Sequence, residues 1–336
     1  MGNEVKCMSN NRNTTVDFLK GVSTLMVLIT HYAWIEEKRA CFMFPYLIDM
    51  AVPVFMIVSG YVGVLSYRNH NVNSFSDAYK MKNIIRKAIR YTVPFVIIVA
   101  WQLLDPNVKI NASGVLSHLR WFLNGTVGQG SYYYPILIQL IFIFPVIYFI
   151  IERNGKKGLW ICLIINATYE LLKWSYGMND ECYRLIVFRY IFVIAVGVYA
   201  SKHALNMIES IVLTIIGGAF LGITTSGLYI PHIITSWTST CFIAVMWIVP
   251  VTVWVIRNAS IRLKPIELIG RASYNIFWVQ MIYYRSYRVK MVPLFSQWPV
   301  ELFAGMGICI VVGYVFYITE SKITRLIVKK SIAKIR

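Results

Sequence analysis

The chain carries little charge for its length. Only 14% of its 336 residues are Asp, Glu, Lys or Arg, whereas soluble domains carry about 25%. No hydrophilic block is long enough for a separate soluble domain, hydrophobic residues make up 57% of the sequence, and the mean hydropathy is +0.59. These proportions argue against a soluble enzyme and predict a protein that lies in a membrane.

The sequence also lacks the motifs of two common kinds of site, a cysteine-rich metal site and a glycine-rich phosphate loop. None of the six cysteines belongs to a close pair of the kind that binds a metal, so no metal site is expected. Cys41 and Cys182 fall in predicted outer loops, where a disulfide is one alternative, while the other cysteines are read as small apolar packing residues. The glycine-rich run at 125–130 is no phosphate loop, because no Gly-Lys-Ser/Thr follows it.

Apolar stretches near 20 residues long recur along the whole sequence, and such stretches cross membranes as helices. About ten spans are predicted, near 16–35, 44–66, 84–104, 132–151, 158–173, 184–201, 207–225, 237–256, 272–290 and 299–319. The sequence therefore predicts an all-α polytopic membrane protein. We expect one integral-membrane domain over 1–336 with a short basic tail at 320–336.

The net charge of +18 is explained by topology. Most basic residues fall in alternate loops, and the positive-inside rule places those loops, together with both termini, in the cytoplasm. Membrane lipid is therefore the expected partner of this charge, and nucleic acid is not.

The first span contains two ionisable side chains, Lys20 and His31. Their separation of eleven residues puts them on nearly one helical face, about 16 Å apart along the axis. An ionisable group inside a span is costly and by default indicates function. The alternative for His31 is a structural hydrogen bond to another helix, and the alternative for Asp17 is a partner for Lys20.

For several other polar and aromatic residues the sequence leaves two interpretations open. Lys87 and Arg90, in the most basic inner loop, either anchor the chain to anionic lipid or bind a cytoplasmic polyanion such as a nucleotide phosphate. Trp121, in the long outer loop 105–131, and Tyr133, at the fourth span, belong to an aromatic belt or to a sugar site. In the ninth span three residues are predicted to form interhelical hydrogen bonds or to contact a ligand: Ser273, Asn275 and Gln280.

Taken together and in order, these motifs resemble the acyltransferase family 3 membrane proteins. Residues 16–21 with His31 match the family's first-span pattern of a basic residue, ten spacers and a histidine. Residues 52–61 resemble its Val-Pro-Leu-Phe-Phe-x-x-Ser-Gly-Tyr segment. A basic-x-x-basic element corresponds to residues 87–90, and residues 270–280 resemble a Gly-x-x-Ser-Tyr-x-Ile-Tyr-Leu-x-His segment.

Two positions depart from the family pattern. Lys20 stands where the family usually has arginine, which keeps the charge but loses the planar fork that grips phosphate or carboxylate. Gln280 stands where many members have a second histidine, so it is not expected to carry a proton.

The resemblance implies transfer of an acyl group, most often acetyl, from cytoplasmic acyl-coenzyme A to a hydroxyl of a surface polysaccharide or a lipid-linked sugar precursor. The coenzyme is then a co-substrate, and no permanently bound cofactor is expected. The protein is expected in the cell membrane, as a multi-pass protein of a bacterial inner membrane.

Residue roles follow from that chemistry. His31 is the candidate general base, with acetyl-histidine formation as an alternative, and Lys20 is paired with it in the catalytic motif. Three carboxylates are candidates for orienting the imidazole: Glu36, Glu37 and Asp49. Lys20, Lys87 and Arg90 are expected to hold the coenzyme's phosphates from the cytoplasmic side. The substrate contacts are assigned to Trp121, Tyr133, Ser273, Asn275 and Gln280.

Two other classes fit part of the sequence. One is a transporter or flippase for a sugar or a lipid-linked oligosaccharide, and the other is a structural subunit of a polymer-export machine. Neither requires the Lys20–His31 motif together with the basic element at 87–90, which is why the sequence favours an enzyme.

Overall fold

The computed structural model describes residues 13–34, 36–104, 132–226, 241–291 and 297–333, and all regular structure in these ranges is helical. In chain order the α-helices are α1 (Thr14–Thr30), α2 (Glu36–Cys41), α3 (Ala51–Asn69), α4 (Phe75–Ala78), α5 (Met81–Leu104), α6 (Tyr133–Asn154), α7 (Lys156–Ser175), α8 (Asp180–Arg184), α9 (Ile191–Ala200), α10 (Met207–Thr225), α11 (Val249–Asn258), α12 (Lys264–Arg271), α13 (Ser273–Ile282), α14 (Arg288–Met291) and α15 (Trp298–Ala333).

The helices coincide with the predicted membrane segments. Each of the ten segments contains helix within the part of the chain that the structure describes. Four helical stretches are long and apolar enough to cross a membrane: Phe44–Asn69, Tyr133–Asn154, Met207–Thr225 and Trp298–Ala333. The all-α class is thus confirmed, and the helices are those of a membrane protein. The number of about ten spans and the cytoplasmic termini stay predictions.

Helix α9 forms the centre of the largest apolar cluster, and every one of its residues is buried. It meets α3 at two glycines. A Cβ atom on Gly60 would lie 2.1 Å from the Ile194 carbonyl oxygen, and one on Gly197 would lie 1.8 Å from that of Ile57. Small residues let helix backbones approach closely in a membrane, where packing replaces the hydrophobic effect. These two glycines therefore set the distance between α3 and α9.

Helix α1, which carries Lys20, meets α12 in the same way. A Cβ atom on Gly21 would lie 2.1 Å from the carbonyl oxygen of Ile266, and one on Gly270 would lie 1.8 Å from that of Asp17. Helix α1 begins with a side-chain cap, in which Asn13 accepts from a backbone N–H, and it ends with His31 as the C-cap residue. The contact holds α1 in one place relative to α12.

The last two predicted spans are less simple than the sequence indicates. The ninth, predicted over 272–290, consists of α13, a π-helical turn over Tyr283–Tyr287 and α14, and α12 ends at Arg271, directly before it. The tenth continues as one helix as far as Ala333, so the described part of the basic tail is helical. Cys41 and Cys182 are exposed free thiols, which corrects the disulfide alternative.

Gly197→Leu tests the α3–α9 contact. The new side chain would collide with backbone rather than with a flexible side chain, so we expect a loss of about 1–3 kcal/mol or more in the free energy of unfolding. Thermal unfolding in detergent measures it. Gly307→Ala is the matched control, because a Cβ there meets nothing within 4 Å. Equal melting temperatures for the two variants would contradict the packing argument.

Candidate active site

A cavity of about 300 Å³ lies between α1, α3, α5, α6 and α13. Its volume is at the lower end of the range for small-molecule sites, which suits a slender ligand. On α3 it is lined from Val52, in the first turn, to Ser66, in the last. At 1.5 Å per residue these positions are about 21 Å apart along the axis, so the cavity follows most of the helix.

One end of the cavity is cationic. Lys20, Lys87 and Arg90 all line it, and no described residue in its wall is acidic. The Lys87 ammonium also lies 4.6 Å from the centre of the Tyr67 ring and 5.4 Å from that of Phe144, so aromatic faces help to hold the charge. These cations belong to segments that the positive-inside rule assigns to the cytoplasmic side. The arrangement suits an anionic ligand such as a phosphate group.

Aromatic side chains form another part of the cavity wall. Tyr133, at the start of α6, lines the cavity, and its ring centre is 5.3 Å from that of Phe277 in an edge-to-face contact. Ser273 also lines the cavity, at the start of α13.

His31 and Gln280 lie just beyond the lining residues. Val27 and Phe277 line the cavity, and His31 follows Val27 by four residues while Gln280 follows Phe277 by three. Residues three and four apart share a helical face, so both side chains are one turn further along that face. The Gln280 side chain lies beside the His31 imidazole, so the two residues are neighbours.

The polar atoms of this pair are not satisfied. His31 Nδ1 and both amide atoms of Gln280 are buried without a hydrogen-bond partner among the described residues. The approach of the two side chains therefore lacks the geometry of a hydrogen bond. Buried polar side-chain atoms are bonded in the large majority of cases. In His31 and Gln280 such atoms stand next to the cavity, where a bound ligand can supply the missing partner.

A second network fixes the chain directly after His31. The Tyr32 hydroxyl donates to Glu301 Oε2 at 2.7 Å, and Arg288 Nε donates to Glu301 Oε1 at 2.7 Å. The Arg288 guanidinium carbon also lies 4.8 Å from the centre of the Tyr32 ring. This network joins the end of α1 to the start of α15. Sequence reasoning missed it, because nothing in the local pattern connects residues 269 positions apart.

The structure describes two of the three carboxylates that are candidates for orienting His31. Asp49 forms an ion pair with Arg39, with an oxygen–nitrogen distance of 3.1 Å, and Glu37 is exposed. The Glu36 side chain lies outside the described residues. Asp17 pairs with Arg271 Nε at 3.3 Å and is 3% exposed, which supports a structural role for its carboxylate.

Some of the remaining residues that the sequence predicts for the site line the cavity, and others do not. The cavity brings together five of them, namely Lys20, Lys87, Arg90, Tyr133 and Ser273. Asn275 is buried elsewhere, where its Nδ2 donates to Glu320 Oε2 on α15 at 3.2 Å. Trp121 lies outside the described residues. Among the described residues no group of three or more His, Cys, Asp or Glu side chains could hold a metal ion.

The described residues form a helical bundle of the membrane-protein class, with a long internal cavity whose lining includes three cations. Comparison with protein families makes this more specific, because the acyltransferase domain of acyltransferase family 3 matches residues 13–318. The chain belongs to this family, as the ordered motifs predict. Neither the curated proteins nor the solved structures contain a match to it.

The Asp17–Arg271 pair generates a stability prediction. Asp17→Asn and Arg271→Gln should each lower the free energy of unfolding, because each removes one side of a partly buried charge-assisted hydrogen bond worth about 1.5–3 kcal/mol. In a double-mutant cycle the combined variant should lose less than the sum of the single losses. Additive losses in thermal unfolding would show that the pair does not couple α1 to α12.

Proposed function

We propose that this protein transfers an acyl group, acetyl in the first instance, from cytoplasmic acyl-coenzyme A to a hydroxyl of a surface polysaccharide or a lipid-linked sugar precursor. Family membership supports acyl transfer. The observation that carries the fuller proposal is the cavity that contains the three cations and is also lined by Val27, one helical turn before His31.

The donor occupies the cavity from its cationic end. Lys20, Lys87 and Arg90 bind the coenzyme's phosphates, since ammonium and guanidinium groups make charge-assisted hydrogen bonds to phosphate oxygens. The acyl-bearing arm of the coenzyme extends along α3, where the cavity is about 21 Å long and narrow. Its thioester then reaches the end of α1, next to His31.

The acceptor arrives from the outer side. Tyr133 and Trp121 offer aromatic faces to a sugar ring. Ser273, two residues after Arg271, contributes a hydroxyl group from the cytoplasmic end of the cavity. The acceptor's hydroxyl oxygen attacks the thioester carbonyl carbon while the His31 imidazole takes the hydroxyl proton. The carbon–sulfur bond then breaks, and the departing sulfur receives that proton. General-base assistance of this kind is worth about 10²–10⁴ in rate.

This assignment places the protein in the cell membrane, with a bacterial inner membrane as the setting that a surface-polysaccharide acceptor requires. A transporter or flippase for the same glycan would also use a cavity of this shape. Such a protein has no need of a base at the cavity's end, so replacing His31 separates the two functions.

His31→Ala should abolish ester-linked acyl groups on the surface glycan while the amount of polymer stays unchanged, because only the base is lost. Mass spectrometry of the glycan and quantification of total polymer measure the two effects. His203→Ala is the control, since His203 is an exposed histidine stacked on Tyr199. Loss of the polymer itself in the His31 variant would favour transport, and unchanged esters would refute the role of His31.

Lys87→Ala should raise the apparent KM for acetyl-coenzyme A about 10- to 150-fold and change kcat less, because a phosphate contact worth about 1.5–3 kcal/mol is removed. Incorporation of radiolabelled acetyl groups into base-labile material in membranes measures both constants. Lys82→Ala, which removes an exposed cation one and a half turns earlier on α5, is the matched control. Equal effects of the two variants would favour lipid anchoring over coenzyme binding.

A further inference from the structure

We infer that Gln280 is a catalytic residue whose side-chain amide donates a hydrogen bond to the acyl carbonyl oxygen while that oxygen becomes negatively charged. The inference rests on the proposed acyl transfer and assigns a second group to the same reaction, next to His31.

The position of Gln280 is the first argument. It is 1% exposed, it neighbours His31, and it lies one helical turn beyond Phe277, whose side chain lines the cavity. A thioester that reaches His31 along the cavity therefore also reaches Gln280. The two residues come from α13 and α1, which pack against each other, so their separation is fixed by the bundle.

The unsatisfied amide is the second argument. Neither Gln280 Nε2 nor Oε1 has a hydrogen-bond partner among the described residues. Trp278, Met281 and Ile282, its neighbours along α13, belong to an apolar cluster. A buried polar group without a partner costs about 1–3 kcal/mol, a cost that an apolar side chain of similar size would avoid. Receipt of a polar group from a ligand explains why an amide stands here.

The chemistry of the amide is the third argument. When the acceptor oxygen bonds to the thioester carbon, the carbonyl electron pair moves to the carbonyl oxygen and the hydroxyl proton moves to His31. The resulting C–O⁻ group needs a donor, and the Gln280 N–H supplies one without giving up its proton. The carbonyl double bond re-forms as the carbon–sulfur bond breaks. A preorganised donor of this type is worth about 10²–10³ in rate.

Gln280→Met tests the inference, because methionine is unbranched and of similar length but has no N–H. With radiolabelled acetyl-coenzyme A and native membranes, the rate at saturation should fall about 10²–10³-fold. The apparent KM for acetyl-coenzyme A should stay within about threefold, because the donor acts mainly in the transition state. The acid limb of the pH–rate profile should not move, because His31 is unchanged.

The fold should tolerate the change. Gln280→Met removes two buried atoms without partners, so its melting temperature should equal or exceed that of the parent protein. Gln280→Leu serves as a second donor-free variant with the same expected loss of rate. Trp278→Phe is the matched control: it removes another buried N–H without a partner from the same helix, two residues away, and should keep the rate within a few-fold.

Three results would overturn the inference. A full rate in both donor-free variants, with His31→Ala inactive, would reject the role of Gln280 and leave the proposed function intact. A shifted acid limb would show that Gln280 acts only by positioning His31. A comparable loss of rate in Trp278→Phe would show a packing effect. Active His31→Ala protein would instead reject the proposed function itself.

Discussion

The direct contact between the backbones of α1 and α12 is the constraint on which the site depends. At Gly21 and Gly270 the two helices approach so closely that no Cβ atom fits between them. Asp17 and Arg271 pair across the same contact. A helix held in this way has little freedom to rotate or slide, and rotation of α1 would carry Lys20 out of the cavity and His31 away from its end. The glycines at this helix contact thus determine which way the Lys20 and His31 side chains of α1 point.

The buried polar residues fall into two groups. Asn275 donates to Glu320, and Tyr183 donates to Glu170 at 2.5 Å, so these side chains are satisfied inside the bundle and stabilise it. His31 Nδ1 and the Gln280 amide atoms have no such partners in the described structure, although they are buried as well. Other buried atoms of the described structure also lack partners, Trp278 Nε1 and the Tyr283 hydroxyl among them. What distinguishes the His31 and Gln280 atoms is their place one helical turn beyond residues that line the cavity, where a site of function is expected.

The cavity gives a physical reason for locating acyl transfer within the membrane. In the proposed reaction its cations hold a phosphate-bearing donor, and its aromatic side chains contact the sugar. Between them lies a narrow apolar passage, in which electrostatic interactions are stronger than in water. His31 and Gln280 stand where the two substrates of the proposed reaction would meet. The acyl group could then change sides while the coenzyme remains in the cytoplasm.

The sequence by itself determined the helical membrane class, the positions of the helices and the shared face of Lys20 and His31, because composition and a period of 3.6 residues are local properties. Only the tertiary structure decided which faces meet. Ser273 and Asn275 are two residues apart on one helix, yet one lines the cavity and the other bonds to α15. Likewise, Tyr32 and Glu301 meet across 269 residues. Periodicity tells which residues share a face, but the packing of distant helices determines what that face contacts.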